Sequence, residues 1–400
     1  MSWVRLPPPA PTFLRGIGTN VFLLGVVSLL TDISSEMLYP LIPLFLTGSL
    51  GATVLTAAMI EGCAEMVGSL LRGVAGAWSD RTGLRKPFVL FGYSVSALSK
   101  GLLGWALSPI WVLTARVVDR AGKGVRSSPR DAMLAESTAP EFRGRAFGLH
   151  QSMDQLGAVA GPLLALPLLV LFHGDLRSLF FFALIPGGLS VLLLFVTRET
   201  GRGRVHPQTW SPLPWREMPA AFRRYLFISA LFSLGNSADA LLALRARMFL
   251  DSPQAVVRAF ALFNVVTVLA ALPAGMISDR LGRRRVVLAG WFLFGIAYAG
   301  FASMTGRAEL WWLFAVYGIY AGIADGAARA YVVDLVPPAL KASALGTHGM
   351  VTGVMAFCAN LFAGALWMKV GPSAAFLLGA VCAWLALLCL LPARRATTGV

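Results

Sequence analysis

The stretch Arg116 to Asp131, RVVDRAGKGVRSSPRD, packs five bases and two acids into sixteen residues of an otherwise apolar neighbourhood. At about 100° per residue, Arg116, Asp119, Arg120, Lys123, Ser127 and Arg130 fall within roughly a third of a helix circumference. Carboxylates recur at one-turn spacing elsewhere: Asp32 with Glu36, Glu61 with Glu65, and Asp154 one turn after His150. Lys100 sits deep in another apolar run. The second half is sparser, with Asn236 and Asp239, Asn264, and the one-turn pair Asp325 and Arg329. Ionisable groups inside a bilayer are costly, at least ~2.5–3.5 kcal/mol near its centre, so each needs a reason. One reason is internal neutralisation, acid against base. The other is that some pairs exchange, broken by a proton or by a charged solute. Several carboxylates at one level in a low dielectric cannot all stay ionised cheaply. Asp32, Glu36, Glu61, Glu65 and Asp154 are therefore candidates to carry a coupled proton. Arg116, Asp119, Arg120, Lys123, His150, Asn236, Asp239, Asp325 and Arg329 are candidates to touch a solute. Tyr317, Tyr320 and Trp312 are aromatic candidates for a solute wall in the second half.

These residues need apolar helices to hold them. The chain has 400 residues, 57% hydrophobic and 13% charged, against ~25% charged in a soluble protein. Twelve apolar segments are expected, at about 20–46, 53–78, 87–107, 109–135, 144–172, 178–197, 224–249, 257–278, 286–304, 309–335, 343–369 and 373–392. Each is long enough to cross ~30 Å of hydrocarbon. Residues 1–19 are proline-rich and carry no apolar core, so no cleavable leader is expected. The net charge of +15 collects in alternate loops. The positive-inside bias predicts cytoplasmic termini and a multi-pass protein of the cell's inner membrane. Arg177, Arg245, Arg247, Arg258, Arg307 and Lys369 fall on or near the other side. No basic stretch is interleaved with stacking aromatics, so nucleic acid is not an expected partner. The four cysteines lie in apolar runs without metal-ligand spacing. No phosphate loop, zinc spacing or nucleophile elbow suggests an enzyme or a resident cofactor.

Two polar knots interrupt the apolar chain: GAWSDRTGLRK, Gly76 to Lys86, and GMISDRLGRRR, Gly275 to Arg285, 199 positions later. APEFRGRAFGLH and VPPALKASALGTH repeat in the same way, pairing Pro140 with Pro338 and His150 with His348. The expected organisation is a first bundle over 1–197, a cytoplasmic linker over 198–223 and a second bundle over 224–400. Duplicated halves imply a solute site at their interface near mid-membrane.

The knots carry a resemblance. Gly76, Asp80, Arg81, Gly83, Arg85 and Lys86 are similar to the G-x-x-x-D-R-x-G-R-R-K signature of the major facilitator superfamily. Gly275, Asp279, Arg280, Gly282, Arg284 and Arg285 match it again. The resemblance implies an all-α fold of two pseudo-symmetric six-helix bundles and transport by alternating access. It makes the knots conformational latches: Asp80 would close its helix end and reach a helix N-terminus or an arginine across the interface. GAVAGPLLA, Gly157 to Ala165, is similar to the G-x-x-x-G-P motif of proton-coupled exporters, at Gly157, Gly161 and Pro162. Arg116 resembles the buried arginine of the R-x-x-Q-G drug-exporter motif, but Asp119 and Arg120 replace its glutamine and glycine. The expected activity is proton-coupled export of a small anionic or zwitterionic organic solute or drug by a monomer in the bilayer. The alternatives are an importer, a carrier in either direction of a metal chelate such as a siderophore or of a bare metal ion, and a non-transporting membrane sensor. A bare divalent cation sits poorly beside Arg116, Arg120 and Lys123, and a sensor would carry an output domain.

Overall fold

The computed structural model describes residues 18–139, 142–200, 218–337 and 340–391. In the second knot it describes helix backbone but not the side chains of Gly275, Asp279 and Arg280. The Asp325 side chain, most of the 198–223 linker and Pro140 and Pro338 likewise lie outside the described residues.

Among the described residues, twelve long helical segments form the bundle and there is no strand. They are α1 (Thr19–Glu36), α2 (Val54–Thr82), α3 (Lys86–Gly104), α4 (Pro109–Glu136), α5 (Arg143–Leu171), α6 (Leu176–Val196), α7 (Ala220–Arg247), α8 (Pro253–Leu281), α9 (Arg283–Ser303), α10 (Arg307–Asp334), α11 (Lys341–Lys369) and α12 (Pro372–Leu390). Among the described residues, nine are long and apolar enough to cross a membrane by length and composition. The other three are α1, α3 and α4, which hold Asp32 and Glu36, Lys100 and the basic run. Their hydropathy is lowered by the same groups that make them interesting.

Three helices depart from simple rods, each with an identifiable cause. After Glu36, α1 gives way to turns, then Ile42–Leu44 and a wide π turn at Phe45–Ser49. Pro40 and Pro43 remove donors here, and the residue before a proline avoids the helical region. Within α6 the helix resets at Ala183. The Ala183 carbonyl accepts the Ser34 hydroxyl of α1 at 2.7 Å, so the break leaves it satisfied. In α7 the helix stops at Gly235 and resumes at Asp239. Ala238 N–H donates to Asn360 Oδ1 at 3.0 Å, and the Tyr298 hydroxyl donates to the Ser237 carbonyl at 3.2 Å.

The two halves repeat one neighbour pattern. In the first, α1 packs on α5 and α6, while α2 and α3 pack on α4; in the second, α7 packs on α11 and α12, while α8 and α9 pack on α10. Between halves, α2 meets α11 and α5 meets α8. The α2–α11 seam runs from Leu55 beside Gly364, past Gly62 beside Asn360, to Ser69 beside Gly353. Across the other seam, Asn264 donates to the Ala158 carbonyl at 2.6 Å.

Glycines in α4 set how closely it approaches its neighbours. A Cβ on Gly124 would lie 2.5 Å from the Gly68 carbonyl oxygen of α2. No side-chain rotation relieves a clash with backbone. Gly124→Ala should therefore force α2 and α4 apart and cost about 1–3 kcal/mol. A thermal melt of the purified variant checks this, and an unchanged melt would contradict the contact.

Candidate functional site

The acids and bases of the sequence assemble mainly in the first half, and helix packing sorts them into two groups. Arg116 of α4 faces α2, where its Nε and Nη2 donate to Glu61 Oε1 and Oε2 at 2.8 and 2.7 Å. This is a two-bond fork between residues that are each 4% exposed. Arg116 Nη1 also donates to Asp119 Oδ2 at 3.2 Å. Asp119 faces α3, accepting Lys100 Nζ at 2.8 Å and the Ser96 hydroxyl at 2.5 Å. These four ionisable groups neutralise one another, and of them Glu61 borders a cavity while Arg116, Asp119 and Lys100 do not. Arg116 and Asp119, expected to face a solute, are held by this internal pairing.

One turn further along, Arg120 lies 3.5 Å from Glu65. The Tyr39 ring, on the irregular turn after α1, receives both guanidinium groups, Arg116 at 5.7 Å and Arg120 at 5.8 Å from its centroid. Glu61, Glu65, Arg120 and Tyr39 form one wall of a cavity of about 1170 Å³ between the halves.

The opposite wall is aromatic. Phe232 stacks on Trp291 at 4.8 Å and 12°, and Tyr225 lies parallel to Trp291 and to His348. Phe263 stacks on Tyr317 at 5.3 Å, and the Tyr317 hydroxyl donates to Asp239 Oδ1 at 2.7 Å. All these residues border the cavity, with Tyr320, Asn236, Asn360 and Arg329. The lining extends towards the basic-loop end through Gly148, Tyr225, Gly326 and Arg329. Towards the other end it stops at Tyr39, Asp239 and Asn360, where α2 and α11 are in contact.

Of the residues expected to touch a solute, Arg120, Asn236, Asp239 and Arg329 border the cavity. Lys123 and His150 do not. His150 is buried with Nδ1 3.8 Å from Asp154, on a face of α5 turned from the cavity. Lys123 acts electrostatically on Asp32 and Glu65 without an ion pair within 4 Å among the described residues. Of the proton candidates, Glu61 and Glu65 border the cavity, whereas Asp32, Glu36 and Asp154 do not. Asp32 and Glu36 lie where α5 crosses α1. A Cβ on Gly157 would meet Leu29 O at 2.7 Å and the Asp32 Cβ at 2.8 Å; one on Gly161 would meet Met37 N at 2.8 Å. The small residues of GAVAGPLLA thus bring α5 onto α1 within one half. The charges acting on Asp32 come from three helices: Asp154, Lys123, Arg126 and Glu36.

The first knot also differs from expectation. Asp80 does not close its helix, which continues to Thr82 and turns at Gly83 with φ 65°. Asp80 pairs with Arg85 of the same half at 2.6 Å. Arg85 also meets Glu136 at 3.3 Å, and Glu199 accepts the backbone N–H groups of Arg85 and Lys86. In the second knot, Gly282 turns with φ 87°. Its Arg283 donates to Asp334, and Arg284 to the Leu390 carbonyl.

Sequence reasoning misses Gln151 and Gln155 on α5, Ser229 and Ser233 on α7, and His348, Thr352 and Asn360 on α11, all cavity-lining. Their signal is available: polar residues three to four apart in otherwise apolar helices. Of the three aromatic candidates, Tyr317 and Tyr320 border the cavity, but the Trp312 ring is 76% exposed on the outside of the bundle. Among the described residues, no group of three His, Cys, Asp or Glu is placed to hold a metal ion.

The sequence model described as Major Facilitator Superfamily matches residues 24–250 and 250–400. An MFS-type transporter described as uncharacterized, from Methanocaldococcus jannaschii, is 34% identical over 375 residues, covering 92% of this chain and 93% of that one. A multidrug resistance protein MdtH from Photorhabdus laumondii is 31% identical over 138 residues, 34% of each chain. The crystal structure of a mutant of the nucleoside transporter NupG superposes with a TM-score of 0.79 at 13% identity, covering 93% of this chain and 99% of that one.

Proposed function

The chain belongs to the major facilitator superfamily, and from that premise we propose that it is a proton-coupled exporter of a small zwitterionic organic solute with a flat aromatic part. The observation that carries this reading is the cavity with one charged and one aromatic wall, contributed by different halves. Glu65 and Arg120 on one side and Asp239 on the other offer both signs of charge. Phe232, Trp291 and Tyr225 offer parallel rings. Of the anionic and zwitterionic solutes expected, the anionic one has less support, because Arg116 is held by Glu61 and Lys123 lies off the cavity. A solute carrying both signs fits the lining better.

In this reading the halves are 1–197 and 224–400, joined by the linker 198–223. The basic-loop end is cytoplasmic in the cell's inner membrane, as the positive-inside bias requires. The chain then stands open to the cytoplasm, and a monomer suffices because both walls come from one chain. The Asp80–Arg85 pair belongs to this state, the latch closing between halves only when the cytoplasmic end shuts. Export is supported by the exporter-like GAVAGPLLA packing and by the partial likeness to a multidrug resistance protein. No bond-breaking step is asked of any residue.

Proteoliposomes with an imposed pH gradient test the reading. Flat aromatic zwitterions should be concentrated against their own gradient, and aliphatic zwitterions of equal charge should not. Trp291→Ala should weaken binding of the aromatic solute roughly 2- to 12-fold, the worth of one aromatic contact at about 0.5–1.5 kcal/mol. Equal handling of the two solute classes would remove the aromatic wall from the argument.

A further inference from the structure

Basic residues at the end opposite the basic loops go against the charge bias; Arg258 and Lys369 are exposed there, and the other four make contacts within the protein. Arg307 pairs with Asp251 at 2.7 Å. Arg245 donates to the carbonyls of Phe301 and Met304. Arg177 and Arg247 differ from these in lining a common cavity. Each donates to a main-chain oxygen, Arg177 to Gly104 at 3.1 Å and Arg247 to Leu250 at 2.6 Å. Neither forms an ion pair with a carboxylate among the described residues. Both line one cavity of about 360 Å³. Arg177 reaches it from the first half, at the start of α6, and Arg247 from the second, at the end of α7. Thr47, Ser49 and Gly174 complete the polar rim. Asp175 also borders it, but both of its oxygens accept bonds from the start of α6: Arg177 N–H, Ser178 N–H and the Ser178 hydroxyl.

We propose that this outer cavity binds a phosphate-type anion, held between the guanidinium groups of Arg177 and Arg247. Each guanidinium has five N–H donors, so the bond to a carbonyl leaves donors for an oxyanion. The anion is either a lipid headgroup or free phosphate; both present the same oxygens. Because the two arginines come from different halves, the site exists only while this end is closed. A ligand that binds one of two states shifts the population towards it. Bound anion therefore holds the outer end shut and opposes outward opening. The binding site rests on the cavity alone; its effect on the conformational equilibrium rests on the alternating-access reading above.

The test has two readouts, so that failure of one part is distinct from failure of the other. Isothermal titration of inorganic phosphate into the full chain in phosphatidylcholine nanodiscs, at constant ionic strength, reads binding. Spin labels at Leu107→Cys and Val370→Cys, with the four native cysteines changed to alanine, read the separation of the halves at this end. Phosphate should bind one to one and raise the short-distance population. Arg177→Gln and Arg247→Gln should each weaken binding about tenfold or more and remove the distance response. Arg307→Gln, which has its own carboxylate partner, should change neither. Nanodiscs with added phosphatidylglycerol identify the source: a short-distance population already present without phosphate, and lost in Arg247→Gln, means a headgroup. Binding that survives both arginine substitutions, or no binding of either anion, overturns the site. Binding that depends on both arginines but leaves the distances unchanged upholds the site and overturns the conformational effect.

Discussion

Glu61→Gln should be the most damaging single substitution at the first-half charge network, costing about 3–5 kcal/mol of stability. The Arg116 guanidinium is 4% exposed and donates two parallel bonds to the Glu61 carboxylate. Glutamine keeps the shape and one acceptor but loses the charge, leaving Asp119 at 3.2 Å as the one carboxylate bonded to Arg116 among the described residues. Asp119 in turn is shared with Lys100 and Ser96. The variant therefore carries an uncompensated positive charge in the bundle interior, and that penalty outweighs the lost contact itself. Thermal unfolding in detergent and the yield of monodisperse protein are the measurements. The double variant Glu61→Gln with Arg116→Gln should recover much of the loss, because removing both partners leaves no ion unpaired. If the single variant unfolds like the wild type, Arg116 finds compensation elsewhere, and the fork contributes little.

Asp32→Asn should abolish accumulation driven by a pH gradient while leaving exchange of solute down its own gradient intact. One proton per solute across one pH unit is worth about 1.36 kcal/mol, or about tenfold accumulation. The wild type should reach that figure and Asp32→Asn should fall to no accumulation. The reason for choosing Asp32 is its setting. Glu61 is locked by Arg116, and Glu65 has Arg120 at 3.5 Å. Asp32 is half-buried with no ion pair within 4 Å among the described residues, yet feels acids and bases from α1, α4 and α5. A carboxyl that no single partner holds is the one whose proton can leave when its surroundings change. Radiolabelled solute uptake into proteoliposomes, with and without the gradient, gives both quantities. Should Asp32→Asn, Glu36→Gln, Glu65→Gln and any folded Glu61 variant all still concentrate solute, the proton is carried elsewhere, with Asp154 the next group to test.

Much of the architecture was legible because hydropathy and turn chemistry are local. The expected segment 53–78 becomes Val54–Thr82, 109–135 becomes Pro109–Glu136, and 343–369 becomes Lys341–Lys369. The breaks in α6 and α7 were not legible. Ser34, Asn360 and Tyr298 satisfy the broken backbone, and they lie far along the chain from the carbonyl or amide they serve. The site was half legible for a similar reason. Helical spacing puts Arg116, Arg120 and Lys123 on one side of α4, but does not say which neighbour that side meets. Arg116 meets α2 and Asp119 meets α3, so the basic face is divided among helices, and only Arg120 reaches the cavity. Most of the aromatic wall was missed because phenylalanine and tryptophan in apolar helices look the same whether they fill a core or line an opening.

The two walls differ in how readily they can be rewritten over generations. On the aromatic side each ring makes its own stacking contacts, and exchanging Trp291 or Phe232 for another ring leaves no charge stranded. New specificities are reachable there by single steps, each a working protein. On the charged side Glu61, Arg116, Asp119 and Lys100 hold one another. Changing any one exposes the rest, so the route to an altered network crosses a non-functional intermediate. Descendants of such a chain inherit a charge network that is nearly frozen and a cargo wall that is free to drift.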